Sequence, residues 1–204
     1  NFSSQEYCYY RFSVDIDDIH RLTLNYKEVD SNQLRNQNTS SSTMKFSSQE
    51  YNKGEITETS GLLLVSNWTD DFVTEFSYTT KDQITSQQSP LGQNLPSFQI
   101  NNCGSQGIRC YLGPDIFRSA NDLKTTTDYL KLKGTYYRDN HKLTFGYENK
   151  VWDIYNVFLE AQDGEYEFDG LAAYQAQTAS SFSHNNSRDL TQAGAAAIFE
   201  YYLD

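Results

Sequence analysis

Nowhere does this chain carry an apolar run long enough for a membrane-crossing helix, which needs about 20 consecutive residues. Basic residues are also short: 16 Lys and Arg stand against 27 Asp and Glu, a net charge of −11. No basic stripe can neutralise phosphates, so nucleic acid is excluded as a partner. Proline, methionine and cysteine are scarce, at three, one and three residues. Helix-bundle composition is therefore excluded, and the abundant Tyr, Phe, Thr and Ser point to strands. The three histidines, His20, His141 and His184, lie far apart, and the first two fall in predicted turns. No second Cys pair or His pair completes a zinc site, no EF-hand order organises the acidic residues, and no nucleophile–base pair can be argued locally. The sequence gives no reason to expect an enzyme, a cofactor or a metal. Cys103 and Cys110 bracket a short loop with two glycines, NNCGSQGIRC, and could bridge in an oxidising compartment. Cys8 is left over and reads as an apolar strand residue.

What the chain does have is alternation. Side chains on a strand point to opposite faces in turn, so period two means one apolar and one polar face. The clearest case is the stretch 122–160. Leu130, Leu132, Gly134 and Tyr136 fall on one parity before the turn Arg138-Asp139-Asn140-His141. Leu143, Phe145 and Tyr147 do so after it. Cys8, Tyr10, Phe12, Val14 and Ile16 alternate with polar neighbours, as do Leu22, Leu24 and Tyr26 beyond a turn at 17–20. GLLLVSNW at 61–68 and Phe72, Thr74, Phe76 and Tyr78 flank a third turn at 69–71. A seventh strand is predicted from Ala193 to Leu203. A short strand at 164–169 and a short helix within 170–180 are predicted before it.

The connections alternate in kind. Short turns separate strands one and two, three and four, five and six. Long polar segments, 30–56, 82–121 and 161–192, separate the rest. A soluble sandwich has no reason for this rule. A transmembrane β-barrel has short turns on one side and long loops on the other. The expected fold is all-β: an antiparallel up-and-down meander of about seven long strands, a partial transmembrane barrel. Aromatic residues such as Tyr9, Tyr10, Tyr136, Tyr137, Tyr147, Trp152, Tyr201 and Tyr202 are candidates for interfacial girdles.

The run Tyr111-Leu112-Gly113-Pro114-Asp115-Ile116-Phe117-Arg118-Ser119-Ala120-Asn121-Asp122-Leu123 resembles a loop-to-strand signature of TonB-dependent outer-membrane receptors, in the Oar-like group with a carboxypeptidase-regulatory-like extension. His141–Glu148, Asp153–Phe158 and Gly164–Asp169 resemble the arms that follow, and 15–22 fits the hairpin style of these receptors. The likeness covers about 10–30 and 57–204. It implies that residues 1–204 are one segment of a plugged barrel in the outer membrane of a Gram-negative bacterium. It also implies partners: outer-membrane lipid, a scarce nutrient of unknown identity, and the TonB complex, reached through a plug domain outside this stretch. These motifs are structural, so no substrate-binding residue is carried over. The competing expectation is a secreted β-sandwich that binds carbohydrate or mediates adhesion. The two differ in one respect. A barrel turns Leu132 and Phe145 toward lipid, whereas a sandwich buries them under a second sheet.

Overall fold

The computed structural model describes residues 3–35, 39–92, 94–104, 107–118, 120–187 and 196–202. Its strands, in chain order, are β1 (Ser3–Asp15), β2 (His20–Arg35), β3 (Thr43–Lys45), β4 (Tyr51–Thr69), β5 (Phe72–Gln88), β6 (Ser97–Ile100), β7 (Arg109–Leu112), β8 (Ala120–Arg138), β9 (His141–Leu159), β10 (Glu165–Phe168), β11 (Ser181–Ser187) and β12 (Ala196–Tyr202). One short helix, α1 (Leu171–Gln175), precedes β11. The chain is all-β. Six long strands form one antiparallel sheet in the order β1-β2-β4-β5-β8-β9, which is chain order with each strand beside the next long one. The sheet is open, and β1 and β9 are its edges.

The three expected turns join these strands as hairpins. At the first, the Asp17 carboxylate accepts from the backbone amides of Ile19 (2.8 Å) and His20 (2.7 Å), an Asx turn that starts β2. At the second, β4 and β5 are separated by Asp70 and Asp71, and the register shifts between Asn67 and Thr69. At the third, Asp139 takes a φ of 51°, a left-handed conformation that Asp tolerates.

Strand lengths differ from expectation. The polar stretches 30–35, 51–56 and 82–88, expected as loop, continue β2, β4 and β5. Their pairing is unbroken: Arg35 faces Tyr51 and Asn52 faces Gln88. Alternation vanished there because both faces meet water. The backbone ladder needs no apolar face once its neighbours are in place. The seventh run also differs. It is a seven-residue strand, β12, paired with β11 rather than continuing the meander at β9. The connection from β11 is much shorter than that from β9, so closing it costs less chain entropy.

A second sheet, ordered β12-β11-β10-β6-β7-β3, is built from the long connections together with the seventh predicted strand, β12. Here lies the compact core: Ile100, Cys110 and Phe168, packed by Phe98, Leu112, Tyr166, Ala173 and Tyr174. The expected short strand and short helix are β10 and α1. Buried Gln49 donates from Nε2 to the carbonyls of Gly113 (2.8 Å) and Pro114 (3.1 Å), pinning the loop after β7. Phe117 stacks on Phe158 at 6.5 Å, and Ala161 donates its amide to Ile116, so this second unit is tied to the top of β9.

Candidate functional site

Directly paired residues of an antiparallel sheet share a face, so the register assigns every side chain of the long sheet. One row runs Val14–Leu22–Leu64–Phe76–Leu132–Tyr147 across all six strands. The next runs Phe12–Leu24–Leu62–Tyr78–Leu130, and toward the turns Phe145 lies opposite Gly134. These side chains form one continuous apolar surface. Phe12 is 61% exposed, Leu132 44% and Phe145 54%. Among the described residues, no second sheet covers them.

The opposite face is polar. Arg11, Lys27, Glu75, Lys131, Lys133 and Glu148 all fall on it, as the sequence predicted. Lys131 pairs with Glu148 at 3.0 Å and Lys133 with Glu75 at 2.8 Å. Thr23 and Thr135 on this face are buried. Ser66 on the apolar face is buried as well, and the ion-paired side chains of the polar face stay partly exposed, so among the described residues neither face is covered. What departs from a sheet built for water is the row of large apolar side chains left open.

Aromatic side chains close the apolar band at both ends. On the side away from the turns stand Tyr10, Tyr26 and Tyr78, with Tyr10 stacked on Tyr26 at 6.4 Å. The Tyr26 hydroxyl donates to Glu28 (2.9 Å) and that of Tyr78 to Asp128 (2.7 Å), both in the acidic region beyond the band. On the turn side, Phe72 meets Tyr136 edge-on, and Trp68 packs against His20 and donates from Nε1 to Thr74 (2.8 Å). Between these belts lie roughly six to eight residues, about 20–27 Å along the strands. The girdle residues named from sequence do not form one set. Tyr10, Tyr136 and Tyr147 take the apolar face. Tyr9, Tyr137 and Trp152 take the other, because odd and even positions cannot share a face. The side chains of Tyr201 and Tyr202 lie outside the described residues. Sequence reasoning missed Tyr26, Tyr78, Trp68 and Phe72. Their signal was a shared register, which exists only once strands are paired.

Within the band, the Phe145 ring uses the space that Gly134 leaves. A Cβ there would come within 2.5 Å of Phe145 Cζ, because the Phe145 ring lies across the glycine. The same ring borders a groove of about 460 Å³ between Trp68, Phe76 and Leu132.

In the second sheet, Cys103 and Cys110 are bonded, with Sγ–Sγ 2.07 Å and Cα–Cα 5.8 Å. Cys8 is free and half-buried. Of the acidic residues weighed from sequence, Glu165 and Glu167 share one face of β10. Glu167 accepts from Asn101 (2.6 Å), Gln99 (3.1 Å) and Ser181 (3.2 Å). Burial, with Glu167, Glu160 and Asp115 nearby, pushes the Glu165 carboxyl up to about 7. Among the described residues, no group of three His, Cys, Asp or Glu is placed to hold a metal ion. The three histidines are not brought together: His20 bonds Ser66 at 2.8 Å, and His184 stacks on Phe182. The other face of β10 carries Tyr166 and Phe168. With Phe98 and Tyr174 they wall a cavity of about 500 Å³ whose rim holds Gln175 and Gln177. No protein-family model, curated protein or solved structure matches this chain.

Proposed function

We propose that this chain forms a lipid-facing wall of an outer-membrane β-barrel of the TonB-dependent receptor class, which takes up a scarce nutrient. The observation that carries the reading is the uncovered apolar face of the long sheet, bounded by aromatic belts and backed by a charged face. In water, an exposed patch of this extent invites association. Against lipid it is the stabilising surface, and the ion-paired face then lines a wet lumen. The strand lengths support the same reading. A tilted strand needs about 9–11 residues to cross a bilayer, yet β4, β8 and β9 each have 19. The surplus lies on the side of the long connections, where it raises the second sheet clear of the membrane. The edges β1 and β9 would be joined by further strands, since an open edge cannot stand in hydrocarbon. Plugged barrels have about 22 strands, of which this sheet would supply six. The receptor class itself rests on the resemblance of 111–123 and 141–169. In that reading the chain is a transport element, not an enzyme.

The test places single substitutions in the full-length protein. Leu132→Arg puts a charge on the lipid face at about 2–4 kcal/mol, whereas Lys131→Leu removes one from the lumen face at little cost. Outer-membrane assembly, scored by heat-modifiable gel mobility, should fail for the first and persist for the second. Equal behaviour of the two variants would overturn the proposal.

A further inference from the structure

We infer that the aromatic cavity of the second sheet is a binding site for an uncharged carbohydrate. This deepens the transporter reading, and as a capture site for cargo it rests on that reading. The walls are Phe98, Tyr166, Phe168 and Tyr174. Their rings are held in fixed relation: Phe98 lies 6.0 Å from Tyr166 and Phe168 lies 5.2 Å edge-on to Tyr174. The buried core of Ile100, Cys110 and Phe168 lies behind them, so the walls are preformed. A volume of about 500 Å³ is within the range of small-ligand sites.

Three features choose the ligand class. First, among the described residues no charged side chain lines the cavity; Glu165 and Glu167 lie on the far side of β10. A charged ligand would lose its hydration and gain no partner. Second, the rim carries two exposed amides, Gln175 and Gln177, and two of the rings carry hydroxyls. An amide both donates and accepts, as does a sugar hydroxyl. A purely aliphatic ligand would leave these groups idle. Third, aromatic faces suit the C–H faces of a pyranose ring, which are apolar.

Gln177 sits just past α1 with a φ of 57°, left-handed backbone at a helix end where Gly or Asn is usual. Its amide nitrogen donates to the Tyr174 carbonyl (3.1 Å) and that of Thr178 to Ala173 (3.0 Å), which closes the helix. The fold needs only the backbone conformation at this position. The Gln177 side chain is therefore free for another role, and it stands at the rim of the cavity.

The test uses the full-length protein in a sugar-free detergent, titrated calorimetrically with maltotetraose, cellotetraose and xylotetraose, and with an acidic oligogalacturonide and a long-chain alcohol as contrasts. At least one neutral oligosaccharide should bind saturably, and the acidic sugar and the alcohol should not. Tyr174→Ala should weaken binding about tenfold or more. Gln177→Gly should weaken it about three- to tenfold while leaving thermal stability equal or higher, since glycine suits that backbone. Lys131→Leu, on the long sheet away from the cavity, should leave sugar binding unchanged, and because binding is read in detergent its failure is distinguishable from failure of the membrane reading. Absence of binding by every neutral sugar, undiminished binding by both cavity variants, or equal binding of the alcohol would each overturn the inference.

Discussion

Phe145 and Gly134 form one packed pair across β8 and β9. The ring covers the backbone of the opposite strand, where a Cβ would meet it at 2.5 Å and push it aside. Gly134→Leu should therefore displace the ring and destabilise the sheet by about 1–3 kcal/mol in urea unfolding from detergent. In a Phe145→Ala background the same change should cost far less, because the clash is gone. Additive losses would contradict the contact. Glu165 makes a second claim at this scale. Its carboxyl is raised from an ordinary 4.5 to about 7 in the fold, chiefly by burial. The folded state therefore holds the proton more tightly than the unfolded chain. The contribution to stability is complete below about 4.5 and is lost as pH rises through about 7. Amide protection in β6, β10 and β11, taken relative to the intrinsic exchange rate at each pH, should fall over that window. Glu165→Gln, which keeps a neutral side chain, should flatten the change.

The second sheet and the long sheet are separate in what holds them. The disulfide closes an eight-residue loop from Cys103 to Cys110 and sits against the core of the second sheet. Reduction should loosen that sheet by about 2–3 kcal/mol, read as faster exchange in β6 and β7, with β4, β5 and β8 unaffected. Uniform loosening of both sheets would show that they unfold together. The sequence was most legible where burial differs between faces. The hairpins at 17–20, 69–71 and 139–141, the parity of Leu130 and Leu132, and the short β10 and α1 could all be read from pattern and turn residues. The extensions of β2, β4 and β5 could not, because polar strands bathed on both sides leave no period. Nor could the parallel pairings of β6 with β10 and of β3 with β7. These join segments far apart in the chain, and local sequence carries no record of them. The aromatic cavity was hidden for the same reason: Phe98 comes from one long connection, and Tyr166 and Tyr174 come from another far along the chain.

At the scale of the whole molecule, the proposed barrel wall turns the apolar face of the six-stranded sheet to lipid and the charged face to water. The direct measurement is collisional accessibility of nitroxide labels placed singly at 143, 144, 145, 147 and 148 on β9, in the full-length protein in vesicles, with Cys8→Ser and the Cys103–Cys110 bond intact. Gly146 is left unlabelled because a Cβ there would meet the Leu132 backbone carbonyl. Oxygen concentrates in lipid, and a nickel chelate stays in water. The expected pattern is alternation, with Leu143, Phe145 and Tyr147 oxygen-accessible and Thr144 and Glu148 chelate-accessible, in phase with Leu130 and Leu132 on β8. Labels at 143, 145 and 147 that are shielded from oxygen, or a pattern without period two, would contradict it.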